Sequence, residues 1–511
     1  MREVICINIG QAGVQLSNAA WELFCMEHGI EANGLLKENL SLDETDSFRT
    51  FFQEVPTGQF VPRTISIDLE PTVIDEIRSG PYRNLFHPDQ LISSNEDGAS
   101  NFARAFFTIG KRQIENLTNT VRKLVDACEM LQGFFLIHSV SGGTGSGFTT
   151  LALDTLTLEY TKRNKFQMSV FPSPMLSTAV VEPFNTSLSS VRALENCDIT
   201  NIMDNEAIYN ISNACLNIPR PTFSNINRVI SQVFSDMTTS LRFEGSLNSD
   251  LNQLCTNLIP YPRIHFPVCC HTPLTSPSKA EHEPLTTATL TKNLFDKNSQ
   301  MVSCTLNEGK YMCCVLMYRG RITPKEVNQA IFEIKRKNEI KFVDWCPTGF
   351  KLGINNQPPI MAPGSEIAPS DKSVTMLANS TSIKDIWEKI MSKFDILFSK
   401  RSFVHWYVGE GMEEGEFNEA RDELNGIYLD YCELEDTGEE RQEEGVTEEA
   451  VPATEDLGVD AGATEPTVNE DEKEKSEEAV ANDEGNVADE PAKEDEEEDG
   501  DEDDEESETD N

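Results

Sequence analysis

The chain reads as an α/β protein. A doubly wound, mainly parallel sheet comes first, then a smaller mixed α/β domain, a C-terminal helical hairpin and an acidic tail expected to be disordered. Three observations predict this: short β-branched runs alternate with helical patterns over the first 205 residues, the texture changes near Phe266, and residues 433–511 hold 37 of the 87 acidic residues but 4 of the 42 basic ones. Strands that alternate with helices pair in parallel and are covered on both faces, so ligands gather at their carboxyl ends. The expected division is a nucleotide-binding domain at 1–205, an intermediate domain with its linking helix at 206–381, C-terminal helices at 382–432 and the tail at 433–511.

In chain order, Val4–Ile9 is a first strand, punctuated by Gly10 and Gly13 and followed by a helix over Val14–His28. Thr64–Leu69 is a second strand; helical patterns then span Asn101–Leu131. Phe134–Val140 is a strand, Phe148–Lys162 a helix, and Phe166–Phe171 and Ile199–Met203 continue the alternation. A helix runs from Asn227 toward Phe243, then come strands at Phe266–His271, Met312–Tyr318, Phe350–Ile354 and Val374–Ala378. Helices follow at Ser382–Ser399 and Glu414–Tyr431; in the second, Phe417, Ala420, Leu424, Ile427 and Tyr431 step by three and four and form one core-facing stripe.

Between the Phe134–Val140 strand and the next helix lies Gly142-Gly143-Thr144-Gly145-Ser146-Gly147. Glycines let an anion approach backbone N–H groups, and a following helix turns its positive end toward the charge, so the loop is suited to phosphate. A flexible turn between two core elements gives the same letters. A P-loop needs Lys then Ser or Thr after the last Gly, and here Phe148 follows; a Rossmann fingerprint needs an acidic residue about 20 positions on, and Glu159 comes too early. Neither template fits.

The tail holds no Phe, Trp or Tyr after Tyr431 and cannot bury enough apolar surface to offset its ordering entropy. As a flexible coil it would span on the order of 50 Å, attracting basic partners and disfavouring nucleic acid and anionic membrane. Thirteen cysteines show no CxxC pair, and the doublets Cys269-Cys270 and Cys313-Cys314 fall in apolar strands, the pattern of reduced core residues. No apolar run approaches a membrane span, and the start lacks a secretory pattern, which fits a cytosolic protein.

Other candidate ligand positions fall at strand ends. Gln11 follows the first strand, Asp68 and Glu70 end the second where a carboxylate could hold Mg²⁺ through water, and Glu96-Asp97-Gly98-Ala99 is expected to open a helix. Asn205 and Asn227 carry amides able to read a purine edge, and Phe223 could stack on a base. Taken with Gly-Gln-Ala-Gly-Val-Gln at 10–15, Asp-Leu-Glu-Pro-Thr-Val-Ile-Asp-Glu at 68–76, Gly-Gly-Thr-Gly-Ser-Gly-Phe at 142–148, Phe-Val-Asp-Trp-Cys-Pro-Thr-Gly-Phe-Lys at 342–351 and His-Trp-Tyr-Val-Gly-Glu-Gly-Met at 405–412, the chain resembles the α-tubulins across residues 1–432. Residues 256–266 and the long segment 358–375 resemble α rather than β chains.

The resemblance implies a GTP-binding subunit that pairs with β-tubulin, adds head to tail into microtubules and meets basic microtubule-associated proteins and motors. It implies GTP contacts from Gln11, Asp97, Ala99, Ser139, Gly142, Gly143, Thr144, Gly145, Thr178, Glu182, Asn205, Phe223 and Asn227, with Glu70 at Mg²⁺. It places the protein in the cytoplasm on microtubules, and the divergent body and long tail suggest a specialised array such as cilia. In the family a glutamate on the α chain reaches the GTP of the next dimer's β subunit; here Gln253 holds that position, so no intact catalytic residue is expected and hydrolysis of that GTP should be slow. An autonomous GTPase and a regulator that sequesters β-tubulin without polymerising are the alternative readings. Ser141 and Ser100 depart from family glycine and asparagine; if position 141 needs a positive φ, Ser strains it by about 1 kcal/mol.

Overall fold

A computed structural model describes residues 2–37, 46–173, 178–282, 285–306, 308–337, 340–346 and 349–436. The tail from 437 onward, where the sequence leads us to expect disorder, lies outside the described residues.

The first half alternates β1 (Glu3–Ile9), α1 (Gly10–Glu27), a small hairpin β2 (Phe52–Glu54) and β3 (Phe60–Pro62), β4 (Thr64–Asp68), α2 (Pro71–Ser79), β5 (Leu91–Ser93), α3 (Gly110–Asp126), β6 (Leu131–Ser139), α4 (Thr149–Glu159), β7 (Asn164–Phe171), α5 (Glu182–Asn196), β8 (Ile199–Asp204) and α6 (Asn205–Ala214). A long helix, α7 (Phe223–Arg242), leads to β9 (Gly245–Leu247), α8 (Leu251–Leu258), β10 (Val268–Thr272), α9 (Pro277–Ala280), α10 (Thr287–Asn293), β11 (Tyr311–Gly320), α11 (Pro324–Lys337), β12 (Phe350–Asn355) and β13 (Lys372–Ser380). The described chain closes with α12 (Lys384–Ser399), α13 (Val404–Gly409) and α14 (Gly415–Asp436).

Strands β5-β4-β1-β6-β7-β8 are parallel neighbours, the doubly wound arrangement the alternation predicts. All seven residues of β1 are buried, because helices cover both faces and a β-branched run suits such a strand. The sheet does not stop there. A single parallel pair, Ile202 with Val268, joins β8 to β10, and the order continues β13-β11-β12-β9 with mixed directions, so both sheet regions share one eleven-stranded layer.

Helix α7 lies against α1 and the second sheet region, and most of its residues are buried. Under it sits a fully buried ionic network. Glu27 at the end of α1 accepts from Arg242 of α7 and from Arg319 of β11, each at 2.6 Å. Arg319 also donates to Asp236 of α7 at 2.9 Å, whose other oxygen accepts from Ser373 of β13 at 2.7 Å. Burial opposes the charge on Glu27, yet Arg242 and Arg319 outweigh it and hold the carboxyl at about 2. The predicted stripe of α14 is the core face expected: Phe417, Ala420, Leu424, Ile427 and Tyr431 are all buried.

Two local expectations are corrected. The helical pattern over 101–131 ends early: helical geometry begins at Phe102, passes through a π-helical turn at Arg104–Thr108 into α3 and stops at Asp126, and Leu131 already pairs with Glu3 of β1 as the first residue of β6. Nor does Glu96-Asp97-Gly98-Ala99 open a helix; Ala99 and Ser100 adopt left-handed φ values of 48° and 53°, which interrupt helical geometry. The segment at 358–371 forms no strand; it lies over Thr275 and Arg228 through its backbone, with Ile367 and Ala368 buried.

Candidate functional site

Three loops converge at the carboxyl ends of β1, β4 and β6. Gly10 (φ 74°) turns β1 into α1 so closely that a Cβ there would lie 3.1 Å from the Gly145 nitrogen. A Cβ on Gly98 would likewise stand 3.1 Å from the Thr144 nitrogen, and one on Gly143 only 2.7 Å from the Asn101 nitrogen. The glycines of the loop therefore divide by role. Those at 143, 145 and 147 let backbone meet backbone; Gly142 alone in the run has nothing within 4 Å of a built Cβ and faces open space. Its partly exposed backbone is the part of the loop open to a ligand.

Ser141 has no positive φ, so the strain considered for it is absent. Its hydroxyl instead meets that of Ser139 at 2.9 Å, and Ser139 also donates to the Val170 carbonyl at 3.2 Å. The left-handed strain lies at Ala99 and Ser100, where a family asparagine tolerates αL better than serine. The N–H groups expected of a helix opening near Glu96 are taken: Phe102 donates to Asn185 Oδ1 at 3.1 Å and Ala103 to Asn101 Oδ1 at 2.9 Å.

Asp68 ends β4 beneath the glycine loop. It is buried, accepts from the Glu70 nitrogen at 3.4 Å and hydrogen-bonds the Thr144 side chain; burial pushes its carboxyl up to about 6. Glu70 caps α2 and accepts from the Thr72 hydroxyl at 2.6 Å. A desolvated carboxyl and a half-exposed one beside the phosphate loop fit Mg²⁺, which is commonly held by one or two carboxylates, phosphate oxygens and water. No group of three or more His, Cys, Asp or Glu side chains placed to hold a metal occurs among the described residues.

Gln11, Asn227 and Phe223 line one cavity of about 530 Å³ with Trp21, Tyr82 and Phe86. Phe223, the first residue of α7, is exposed. Asn205 opens α6 directly after β8. Thr178 and Glu182 meet each other: Glu182 Oε1 accepts from the Thr178 nitrogen at 2.8 Å and from its hydroxyl at 2.7 Å. Glu182 borders a separate, mainly apolar cavity of about 360 Å³ that includes Asp204, whose carboxyl burial pushes up to about 6. Asp97 is exposed, and its carbonyl accepts from Arg104 Nε at 3.0 Å.

Gln253 belongs to none of these loops. It is exposed on α8, and its Oε1 accepts from Lys351 Nζ of β12 at 3.2 Å. All thirteen cysteines are free thiols, including both doublets. No described helix is long and apolar enough to cross a membrane.

Parallel strands whose ends gather a glycine loop, a desolvated carboxyl and an aromatic-walled cavity define a nucleotide-binding protein of the doubly wound class. Residues 3–213 match the tubulin/FtsZ family GTPase domain and residues 262–392 the tubulin C-terminal domain. The chain belongs to the tubulin family, and so to a GTP-binding fold. It is similar to the tubulin alpha-2 chain of Caenorhabditis elegans, with 52% identity over 446 residues, covering 87% of this chain and 99% of that one.

The residue sequence reasoning missed is Asn185. It sits within α5, fully buried, and the only local signal is a poor helix former inside a helical stretch.

Proposed function

We propose that the chain is an α-type structural subunit of microtubules that holds GTP with Mg²⁺, pairs with β-tubulin and adds head to tail. The observation that carries this reading is the convergence of Gly10, residues 98–101 and Gly142–Gly145 beside the Gln11, Phe223 and Asn227 cavity. In this reading the open backbone of Gly142, with Ala99 and Asp97, faces the phosphates, and Gly143, Thr144 and Gly145 form the closely packed loop behind it. Gln11, Ser139, Thr178 and Glu182 make further contacts to the GTP, Phe223 stacks on the base, Asn205 and Asn227 carry amides suited to its edge, and Glu70 with Asp68 neighbours the metal. Glu70 and Asp68 would hold Mg²⁺ there, which would neutralise phosphate charge; the protein's part is to bind, orient and exclude water.

Gln253 supplies no proton acceptor. A carboxamide orients water but does not deprotonate it, and the ammonium of Lys351 already occupies its oxygen. Polymers containing this chain therefore hydrolyse the GTP of the neighbouring β subunit slowly and persist in the cytoskeleton, with cilia a suitable array. The acidic tail recruits basic associated proteins and motors.

Co-expression with β-tubulin followed by co-sedimentation with microtubules tests the proposal. A stable heterodimer that enters polymer is expected; a chain that binds β-tubulin and stays in the supernatant is a sequestering regulator instead. GTP turnover by the chain without β-tubulin would reveal an autonomous GTPase.

A further inference from the structure

Asn185 uses all its hydrogen-bonding capacity at the junction of three segments. Its Nδ2 donates to the Ser100 carbonyl at 2.8 Å and to the Ser141 carbonyl at 2.9 Å. Its Oδ1 accepts from the Phe102 nitrogen at 3.1 Å and from the Tyr407 hydroxyl at 2.7 Å. One buried amide thus holds the left-handed turn at 99–100, the residue that opens the glycine loop, and α13. No other side chain replaces both its donors and its acceptor without leaving a buried group unpaired.

Two further links join the same segments. Asn101 Nδ2 donates to the Trp406 carbonyl at 3.1 Å, and Arg104 reaches Glu410 at 3.1 Å. Tyr407 is fixed by edge-on rings of Phe184 and Phe417, so its hydroxyl is aimed rather than free to swing. The strained φ values of Ala99 and Ser100 persist only where surrounding contacts over-determine them. Asn185 supplies that contact at the Ser100 carbonyl.

We infer that Asn185 is the positioning residue of the nucleotide site, setting the two phosphate-facing loops in register, and that through the Tyr407 hydroxyl it couples their geometry to α13. This rests on the reading that the nucleotide sits over those loops. Helix α13 carries Trp406 at 63% exposure and Val408 at 46%, so the coupling ties nucleotide retention to the state of an exposed aromatic and aliphatic surface. A partner that favours the ordered α13 raises nucleotide affinity, and by linkage bound nucleotide steadies α13.

The test uses the full chain in complex with β-tubulin and three variants. Tyr407→Phe removes one hydroxyl from α13 and touches neither loop directly; Tyr431→Phe is the control, an equally buried tyrosine on α14. Asn185→Asp keeps the acceptor and loses both donors. Expected are loss of the GTP held on this chain, scored apart from the nucleotide on β-tubulin, about five- to tenfold faster in Tyr407→Phe, a larger increase in Asn185→Asp, and faster amide exchange confined to residues 98–102, 139–143 and 403–410. Tyr431→Phe should leave release and exchange in those segments unchanged. Release in Tyr407→Phe equal to that in Tyr431→Phe, or exchange raised evenly over the molecule, overturns the inference. A parent complex with no nucleotide on this chain would instead overturn the reading of the site.

Discussion

Replacing Arg319 with Met is the sharpest perturbation of the fold that positions the site. Its guanidinium donates to Glu27, Asp236 and Ser235 at 2.6, 2.9 and 3.0 Å, and to the carbonyls of Gln357 and Pro358 at 3.2 and 3.3 Å. Methionine fills much of the volume and supplies no donor. Glu27 would then keep one guanidinium, Arg242, while Asp236 kept its hydroxyl donors and the Gln232 amide. Breaking a buried pair from one side costs about 3–5 kcal/mol, because the remaining carboxylates stay desolvated. The network spans α1, α7, β11 and β13, so the loss acts on the contact between the two sheet regions rather than on one loop. A chain of this size need not unfold in two states, so the suitable readout is the rate of irreversible thermal inactivation of the β-tubulin complex, followed by loss of polymerisation competence. If the network is absent from the unfolding transition state, the rate rises by about 100-fold or more. A variant that inactivates within about twofold of the parent would refute the view that these charges hold the regions together, leaving apolar packing as the sufficient cause.

Three other outcomes follow from single groups. Burial, with Arg242 next, holds His28 at about 3 against an ordinary 6.5, so it folds neutral. The unfolded chain binds the proton first, and stability contributed by neutral His28 is lost as pH falls from about 6.5 toward 3; inactivation rates of His28→Gln should show a shallower acid dependence in that window, and an unchanged profile would contradict the assignment. Asp68 is raised to about 6, so its burial as an anion opposes folding increasingly as pH rises from about 3.8 to 6. Asp68→Asn should therefore raise the thermal stability of nucleotide-free protein at pH 7 by about 1–3 kcal/mol while weakening Mg²⁺-dependent GTP retention; a loss of both would assign Asp68 a purely structural role. Gln253→Glu should speed phosphate release from polymers made with normal β-tubulin by about tenfold or more, and parent-like kinetics would show that this position does not limit hydrolysis.

Local chemistry made much of the fold legible. The β-branched run at 4–9, the glycine punctuation and the three-four stepping of Phe417 to Tyr431 each act through period and propensity, and they lie where that reasoning puts them. What sequence hid depends on distant partners. Asp-Gly at 97–98 has the letters of a helix start, but the chain turns left-handed at Ala99, and Asn185, more than 80 residues away, holds the next carbonyl. The strands of the two sheet regions meet through one ladder pair, Ile202 and Val268, which no local pattern announces. Within the site, the glycine run was visible; the division between Gly142, open to a ligand, and Gly143, Gly145 and Gly147, closed against backbone, required coordinates. Gln11, Phe223 and Asn227 share a cavity only because α1 and α7 pack together.

That division offers the most direct test of the central claim, that these loops hold the nucleotide. Nucleotide content should be measured on the purified β-tubulin complex of the parent, of Gly142→Val and of Gly145→Val. The parent should carry GTP on this chain. Gly142→Val, whose Cβ meets no protein atom within 4 Å, should fold and pair yet lose that GTP, whereas Gly145→Val, whose Cβ would stand 2.3 Å from the Ser139 carbonyl oxygen, should fail to fold. A folded Gly142→Val complex that keeps its full complement of GTP would contradict the account.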